Sequence, residues 1–265
     1  MRALVTGSAG FVGTHLVQWL KERGVAVMGA DKKTGSNLAA WGSALELLLG
    51  LPRPDIIFHL AGSCSTLGSI GDPTGTFRDT VVTAAHVMDY ARIVRVPVIL
   101  TSSVKARDGA TPYGAAKVMV ETWATEMAAT YDIPLVINRP GTIYGPGQEG
   151  SLESGWIAWF LKAKREGIKV TVNGDGLQRR DLLHVSDYIE LMISQAQDLK
   201  LYSGHVWDVG GGSANVVTVM DIVKHLGLEY EHGPERYGDA RSYVGFNGVP
   251  GWEPRVYWRT SETFL

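Results

Sequence analysis

One stretch near the N-terminus, LVTGSAGFVG (Leu4–Gly13), decides the fold class of this chain. The apolar run before its first glycine predicts a short buried strand, and the apolar spacing over Gly13–Arg23 predicts a helix. Gly7, Gly10 and Gly13 between them permit a tight turn, a close approach of phosphates to the backbone, and close packing of helix on strand. The helix N-terminus would then offer free N–H groups to an anion. The stretch therefore predicts a dinucleotide-binding turn.

Further along the chain, short apolar runs alternate with segments of helical periodicity. This alternation predicts βαβ units with right-handed crossovers, and hence an α/β fold with a Rossmann-like, doubly wound parallel sheet. The predicted strands are Met1–Thr6, Val25–Ala30, Ile56–Leu60, Pro97–Thr101 and Leu135–Arg139. The predicted helices of this part are Gly13–Arg23, Thr80–Arg92 and Tyr113–Tyr131.

The pattern of predicted elements changes after RPGTIYGPGQEG (139–150). Beyond it, predicted helices at Trp156–Arg165, Ser186–Gln195 and Val217–Leu226 alternate with short strands and glycine-rich turns. We therefore expect a dinucleotide-binding domain at residues 1–150. A smaller C-terminal α/β substrate lobe is expected at residues 151–265, with its chain partly interleaved with the main sheet.

Composition excludes several classes of function. The 265 residues carry a net charge of −2 and no long basic run, so no nucleic-acid partner is expected. No apolar run approaches the roughly 20 residues that span a bilayer, and the first residues enter a strand directly, so neither a membrane nor a signal peptide is expected. The single cysteine, Cys64, predicts a reducing, cytoplasmic setting and a small, at least half-buried side chain. The histidines lack metal-ligand spacing, so no metal site is expected.

Asp31, at the end of the second predicted strand, bears on the choice of cofactor. It lies 18 residues after Gly13, where a carboxylate can accept hydrogen bonds from both hydroxyls of the adenosine ribose and can repel a 2′-phosphate. This favours NAD over NADP. Lys32 and Lys33 follow directly and could attract that phosphate, so NADP stays possible.

TPYGAAKVMVE (Thr111–Glu121) predicts a helix with Thr111 and Pro112 at its start. Tyr113 and Lys117, four residues apart, share one face of it. Such a pair is common by chance. It is also the arrangement in which an ammonium lowers the pKa of a tyrosine, normally ~10, enough for acid/base chemistry near neutral pH.

Several segments in a fixed order resemble the extended branch of the short-chain dehydrogenase/reductase superfamily, the nucleotide-sugar epimerases, dehydratases and reductases. The glycine turn has the G-x-x-G-x-x-G spacing of that group. The other matching segments are GSNL (with Asn37 where the family usually has Asp), FHLAG, TSS, YGAAK, RPGTIYGPG, GDGLQRRDLLHVSD and GWEP.

The resemblance implies roles for particular residues. Ser103 (with Ser102 as the fallback), Tyr113 and Lys117 would be catalytic, and Lys117 would also hold the nicotinamide ribose. Thr142, Arg180 (with Arg179 beside it) and Arg236 would join Ser103 in binding the substrate. The implied cofactor contacts are Gly7, Gly10, Phe11, Val12, Gly13, Asp31, Lys32, Asn37, Leu38, Leu60, Ala61, Gly62, Tyr113, Lys117 and Pro140.

Two departures from the family pattern matter. Ser103 and Tyr113 are only ten residues apart, so we expect a short covering loop and a more open pocket. Dehydratases of the family carry an Asp–Glu pair directly after the serine or threonine. Val104 and Lys105 stand there in this chain, which argues against water elimination.

The first functional hypothesis is an NAD-dependent, 4-epimerase-like enzyme that acts on a nucleotide-diphosphate sugar. The alternatives are a keto-sugar-nucleotide reductase or dehydrogenase and, in a different class, a non-catalytic cofactor-binding regulatory protein. The resemblance also implies a homodimer, with helices Thr80–Arg92 and Tyr113–Tyr131 pairing across a two-fold axis. We interpret His59 and His184 as packed strand histidines, and the aromatic residues of 156–160 as packing residues.

Overall fold

A computed structural model of the protein describes residues 1–151, 154–245, 248–261 and 263. Its helices are α1 (Phe11–Glu22), α2 (Ala44–Leu49), α3 (Thr66–Gly71), α4 (Pro73–Phe77), α5 (Thr83–Val94), α6 (Thr111–Tyr131), α7 (Trp156–Glu166), α8 (Val185–Gln197), α9 (Leu199–Tyr202) and α10 (Val219–Leu226). Its strands are β1 (Arg2–Thr6), β2 (Ala26–Ala30), β3 (Ile56–His59), β4 (Val98–Thr101), β5 (Leu135–Pro140), β6 (Thr142–Tyr144), β7 (Val170–Asn173), β8 (Arg179–His184), β9 (His205–Val209), β10 (Val216–Thr218), β11 (Tyr230–Gly233) and β12 (Ser242–Tyr243).

The main sheet has six parallel strands in the order β2-β1-β3-β4-β5-β9. The direction of winding reverses between β1 and β3, which opens a crevice at the carboxyl ends of these two strands. The predicted α/β, Rossmann-like, doubly wound sheet is confirmed. Each of the five strands predicted for it is present, with bounds within one residue of those expected.

Helices cover both faces of the main sheet. Leu16 and Leu20 of α1 and Tyr188 of α8 belong to the core on one face. Met88 of α5 and Ala124 of α6 belong to the core on the other face. Burial of a leucine side chain contributes about 1.5–3 kcal/mol, so these two layers hold the sheet rigid behind the crevice.

The remaining strands form smaller sheets around a third core. β8 pairs with β10 and β12 through its first half and with β6 through its second half, while β7 pairs with β11. β9 and α8 come after residue 150 in the chain but join the main sheet and its cover. The domain division at residue 150 stays a prediction.

The first residues of two predicted helices form a different structure. The predicted helix at Val217–Leu226 begins at Val219, because Val216–Thr218 pairs with β8 and Thr218 then forms a capping box with Asp221. The predicted helix Thr80–Arg92 begins with a π-helical segment, Arg78–Val82, and becomes α5 at Thr83. Among the described residues no helix combines the length and apolarity needed to cross a bilayer.

Candidate active site

The glycine turn between β1 and α1 is closely packed. Gly7 has a φ of +69°, and a Cβ added to it would lie 2.8 Å from the backbone nitrogen of Ala61. A Cβ on Gly13 would lie 2.0 Å from the carbonyl oxygen of Gly7. Any larger residue at these two positions would push the turn off the sheet, so the glycines keep the backbone open to a ligand at the start of α1.

A cavity of about 630 Å³ lies at this turn, at the crevice between β1 and β3. Most of the predicted cofactor residues line it: Gly7, Gly10, Phe11, Asp31, Lys32, Asn37, Leu38, Leu60, Ala61 and Gly62. Five do not line it. Val12 packs against the core, Gly13 packs on Gly7, Pro140 is buried at the end of β5, and Tyr113 and Lys117 are buried on α6.

Asp31 is held in place at the edge of this first cavity. Its carboxylate accepts hydrogen bonds from the backbone N–H groups of Ala9 (3.0 Å) and Lys33 (2.8 Å). Lys32 forms an ion pair with Asp79, with 2.6 Å between Nζ and Oδ2. Asp79 also lines the cavity, and nothing in the sequence near it signals that role.

Tyr113 and Lys117 lie in the first turns of α6 and are buried, with exposed fractions of 8% and 6%. The Ser103 hydroxyl is hydrogen-bonded to the Tyr113 phenol. The Lys117 ammonium donates to the carbonyl oxygen of Thr101 at 3.1 Å. Ser103, Tyr113 and Lys117 therefore form one cluster.

Burial shifts both titratable groups of the cluster toward their neutral forms. It raises the pKa of Tyr113 to about 12, and the hydrogen bond from Ser103 opposes this rise. It lowers the pKa of Lys117 to about 8, and the neighbouring Cys64 and Glu121 side chains oppose this fall. At neutral pH the phenol is protonated and the ammonium is mostly charged. Formation of a phenolate therefore needs further positive charge beside it.

Ser102 faces away from this cluster. Its hydroxyl donates to the buried carboxylate of Glu121, which also accepts from Arg139 at 2.9 Å. Successive residues of an extended chain point to opposite sides, so Ser102 supports α6 while Ser103 faces Tyr113.

A second cavity of about 260 Å³ adjoins Ser103 on the side of β8. Arg180, buried at 8% exposure, forms an ion pair with Asp239. Arg236 faces Asn173, whose amide oxygen accepts from its guanidinium at 2.9 and 3.0 Å. Arg179, by contrast, is exposed. All four predicted substrate residues, Ser103, Thr142, Arg180 and Arg236, line this second cavity.

Some lining residues were not expected from the sequence. Trp156, Trp159 and Phe160 pack in the third core, as predicted, but they also line the second cavity. Cys64 was expected to be at least half-buried. It is exposed and lines both cavities, because the chain after β3 passes between them. Tyr243, a further lining residue, reaches the second cavity from β12.

The two strand histidines are buried, as expected. His59 is bonded through Nδ1 to the Thr6 hydroxyl at 2.7 Å, and burial lowers its pKa to about 3. His184 packs edge-on against Tyr144 and is bonded through Nδ1 to the Ser186 hydroxyl. In the part of the chain that the structure describes, no three His, Cys, Asp or Glu side chains are grouped to hold a metal ion.

Comparison with known proteins adds independent findings. A model of the NAD dependent epimerase/dehydratase family matches residues 3–210. A UDP-glucose 4-epimerase of Mycolicibacterium smegmatis is 29% identical over 97% of this chain and 94% of its own. A Thermus thermophilus UDP-glucose 4-epimerase in complex with NAD is 25% identical with a TM-score of 0.83, over 97% of this chain and 94% of that one. MoeE5 in complex with UDP-glucuronic acid and NAD is 28% identical with a TM-score of 0.81, over the same shares.

Proposed function

Since the chain belongs to the NAD dependent epimerase/dehydratase family, we propose that it is an NAD-dependent epimerase of a nucleotide-diphosphate sugar. Inversion would occur at C4 through a transient keto-sugar. One observation carries the proposal. The first cavity is lined by Gly62, whose added Cβ would lie 3.7 Å from the Lys117 ammonium, and the second cavity is lined by Ser103 and two arginines, so both cavities reach members of the cluster.

The first cavity fits NAD. The turn at Gly7 and Gly13 leaves room only for bare backbone, which suits a pyrophosphate at the start of α1. The fixed carboxylate of Asp31 suits two ribose hydroxyls and disfavours a 2′-phosphate. Lys32 is paired with Asp79, which reduces its attraction for such a phosphate. When bound, NAD supplies the acceptor and donor of hydride.

In the proposed mechanism the side chains move one proton and hold one oxygen. Ser103 hydrogen-bonds the C4 hydroxyl beside the Tyr113 oxygen. Tyr113, as phenolate, takes the hydroxyl proton while the keto-sugar forms and returns it when the opposite epimer forms. Lys117, which is charged in most molecules at neutral pH, and the positive nicotinamide ring of bound NAD would together supply the charge that favours the phenolate.

The second cavity fits a sugar nucleotide. Arg180 and Arg236 offer guanidinium groups to a diphosphate, which is a bidentate acceptor, and Thr142 adds a hydroxyl donor near Ser103. Arg180 would exchange part of its pairing with Asp239 for the phosphates. The names and titles of the relatives include both UDP-glucose and UDP-glucuronic acid, so they do not identify the sugar on which this chain acts.

Val104 and Lys105 favour an epimerase over a dehydratase. Neither side chain can act as the carboxylate pair of a dehydratase. The reductase alternative depends on Lys33, which lines the first cavity and is exposed toward an NADPH phosphate. A purely regulatory protein would not need the buried Tyr113 and Lys117.

The test is to incubate the protein with NAD and each of UDP-glucose, UDP-galactose, UDP-glucuronate and UDP-galacturonate, and to follow anomeric protons by NMR. We expect interconversion of at least one pair without accumulation of NADH. Tyr113→Phe should lower the rate by a factor of roughly 10³ while NAD binding persists. Stoichiometric consumption of NADPH with a keto-sugar would instead establish the reductase.

We also propose a homodimer formed by α5 and α6 and their neighbours. Large apolar side chains are exposed on this surface, including Met119 (47%) and Trp123 (50%) of α6, Phe77 of α4 and Ile93 of α5. Trp123→Arg should convert a dimer to a monomer in sedimentation velocity. A wild-type monomer at micromolar concentration would contradict the proposal.

The free, exposed thiol of Cys64 suits the cytoplasmic location that we propose.

A further inference from the structure

Lys105 is a cation inside the second cavity for which the chemistry proposed above has no use. It lies two residues after Ser103 in the short connection to α6, and its backbone N–H donates to the Ser103 hydroxyl at 3.3 Å. Its side chain is partly buried and lines the cavity together with Ser103. The backbone of Lys105 is therefore fixed beside Ser103, and its side chain extends along the wall of the same cavity.

The Lys105 ammonium has no carboxylate partner in the described part of the chain. Among the residues that the structure describes, no carboxylate oxygen lies within 4.0 Å of it, whereas Arg180 is paired with Asp239. Its nearest aromatic neighbour is Tyr243, whose ring centroid is 4.6 Å from Nζ. Burial lowers the pKa of Lys105 below its usual value, Arg180 acts in the same direction, and Asp239 and Asp108 oppose them. A half-buried ammonium of this kind is stabilised most by an anion that enters the cavity.

The neighbours of Lys105 hold it in this position. The Tyr243 hydroxyl donates to Asp108 at 3.0 Å, which fixes the ring beneath the ammonium. The guanidinium of Arg180 lies 5.0 Å from the same ring. Lys105 and Arg180 therefore both contact the Tyr243 ring. Lys105 is bonded to Ser103 through its backbone, while Arg180 is paired with Asp239.

We propose that Lys105 binds a carboxylate on the sugar ring, and that the preferred substrate is a nucleoside-diphosphate uronic acid. The inference rests on the proposed function, because it assumes that a sugar nucleotide occupies the second cavity. Arg180 and Arg236 serve the diphosphate. Among the described residues that line that cavity, this leaves Lys105, two residues after Ser103, as the one remaining cation. An ammonium–carboxylate hydrogen bond is charge-assisted and discriminates strongly against a neutral hydroxymethyl group.

The test compares UDP-glucuronate with UDP-glucose in the full-length protein with NAD bound. Lys105→Met removes the charge at similar length, Lys105→Arg keeps it, and Lys164→Met on the exposed face of α7 is the matched control. Steady-state kinetics gives kcat/KM, and calorimetry in the Tyr113→Phe background gives Kd without turnover. Thermal unfolding of each variant shows whether it is folded.

We expect the wild type to prefer UDP-glucuronate, and Lys105→Met to lower kcat/KM and affinity for it about 30-fold. The values for UDP-glucose should change less than about threefold, and Lys105→Arg should keep most of the preference. An equal loss for both sugars and for UDP alone would place Lys105 at the diphosphate and overturn the inference. An unchanged preference in Lys105→Met would overturn it as well.

These outcomes differ from failure of the proposed function. If no sugar nucleotide is interconverted by the wild type, the epimerase proposal fails, while the Kd values still report whether Lys105 selects a carboxylate. If neutral UDP-hexoses are interconverted in preference to the uronic acids, the epimerase proposal stands and the assignment of Lys105 fails.

Discussion

The Lys117 ammonium lies 5.9 Å from the centroid of the Tyr113 ring, one helical turn along α6, and donates to the backbone of β4 at Thr101. The two residues are therefore fixed to each other by the helix and to the main sheet by this bond. Because both side chains are more than nine-tenths buried, the protein holds a charged group away from water before any ligand is bound. This arrangement favours acid/base chemistry at the expense of stability.

Replacement of Lys117 should stabilise the cofactor-free protein. A fall of its pKa from 10.5 to about 8 means that the charged form costs about 3 kcal/mol in the folded state, and loss of the bond to Thr101 offsets about 1 kcal/mol of the gain. We expect Lys117→Met to raise the free energy of unfolding at pH 7 by about 2 kcal/mol and to abolish epimerisation. Urea unfolding measures the first effect. Lys164→Met should show neither.

The lowered pKa of Lys117 predicts that the free energy of unfolding depends on pH. Between pH 8 and 10.5 the unfolded chain binds more protons at Lys117 than the folded chain does, so its contribution to stability rises with pH in this window. Unfolding at pH 7 and pH 9.5 should show a smaller difference between wild type and Lys117→Met at the higher pH. A constant difference would contradict a lowered pKa.

Substitution of Ser103 should lower activity, whereas substitution of Ser102 should lower stability. Ser103→Ala removes the hydroxyl bonded to Tyr113, so we expect a loss of about 100-fold in kcat/KM with little change in unfolding free energy. Ser102→Ala removes a donor to buried Glu121 and should lower the unfolding free energy by about 1–2 kcal/mol while activity is largely kept. The reverse pattern would show that Ser102 faces the substrate.

His59 should make the protein sensitive to acid. Because its pKa falls from 6.5 to about 3 in the folded state, the unfolded chain binds more protons between these values, and stability is lost as pH falls through that range. The loss from this group should reach about 2 kcal/mol at pH 5. His59→Asn should be less destabilised by acid than the wild type, while exposed His205→Gln should behave as the wild type does. Urea unfolding at pH 7 and pH 5 makes the comparison.

Gly13 should be intolerant of even one methyl group. Its added Cβ would lie 2.0 Å from backbone oxygen, so we expect Gly13→Ala to lower the unfolding free energy by about 2 kcal/mol and to weaken NAD binding more than tenfold. Gly71 has open space around it, and Gly71→Ala serves as the control with unchanged NAD affinity. Calorimetric titration with NAD measures the two affinities. If Gly13→Ala and Gly71→Ala bind NAD equally well, the glycine turn does not form part of the cofactor site.

Periodicity predicted the elements that are buried on both faces. The strands β1 to β5 read as apolar runs because helices cover both sides of the sheet, and α1 and α6 read as helices because they are long. α3 and α4 were not predicted, since five or six residues give too little periodicity. The sequence predicts a helix from Val217, whereas Val216–Thr218 forms β10, because two valines before Thr218 do not distinguish an edge strand from the first turn of α10.

The candidate site was predictable where its members share one element or one motif. Tyr113 and Lys117 share α6, and Gly7 and Gly13 share one turn. The pairs Lys32 with Asp79 and Lys105 with Tyr243 join residues that are far apart in the chain. Such contacts depend on how distant loops meet, which no local pattern records.

Gly141 alone separates the two sheets along this part of the chain. Pro140 ends β5 in the main sheet and Thr142 begins β6 beside β8, while a Cβ on Gly141 would lie 2.0 Å from Asp181. In this part of the chain a single residue therefore connects the main sheet, where the first cavity lies, to the smaller sheet beside the second cavity. One inserted residue here would displace Thr142 by about 3.3 Å. Each sheet could still form, but the reacting sugar carbon and its hydride acceptor would no longer meet.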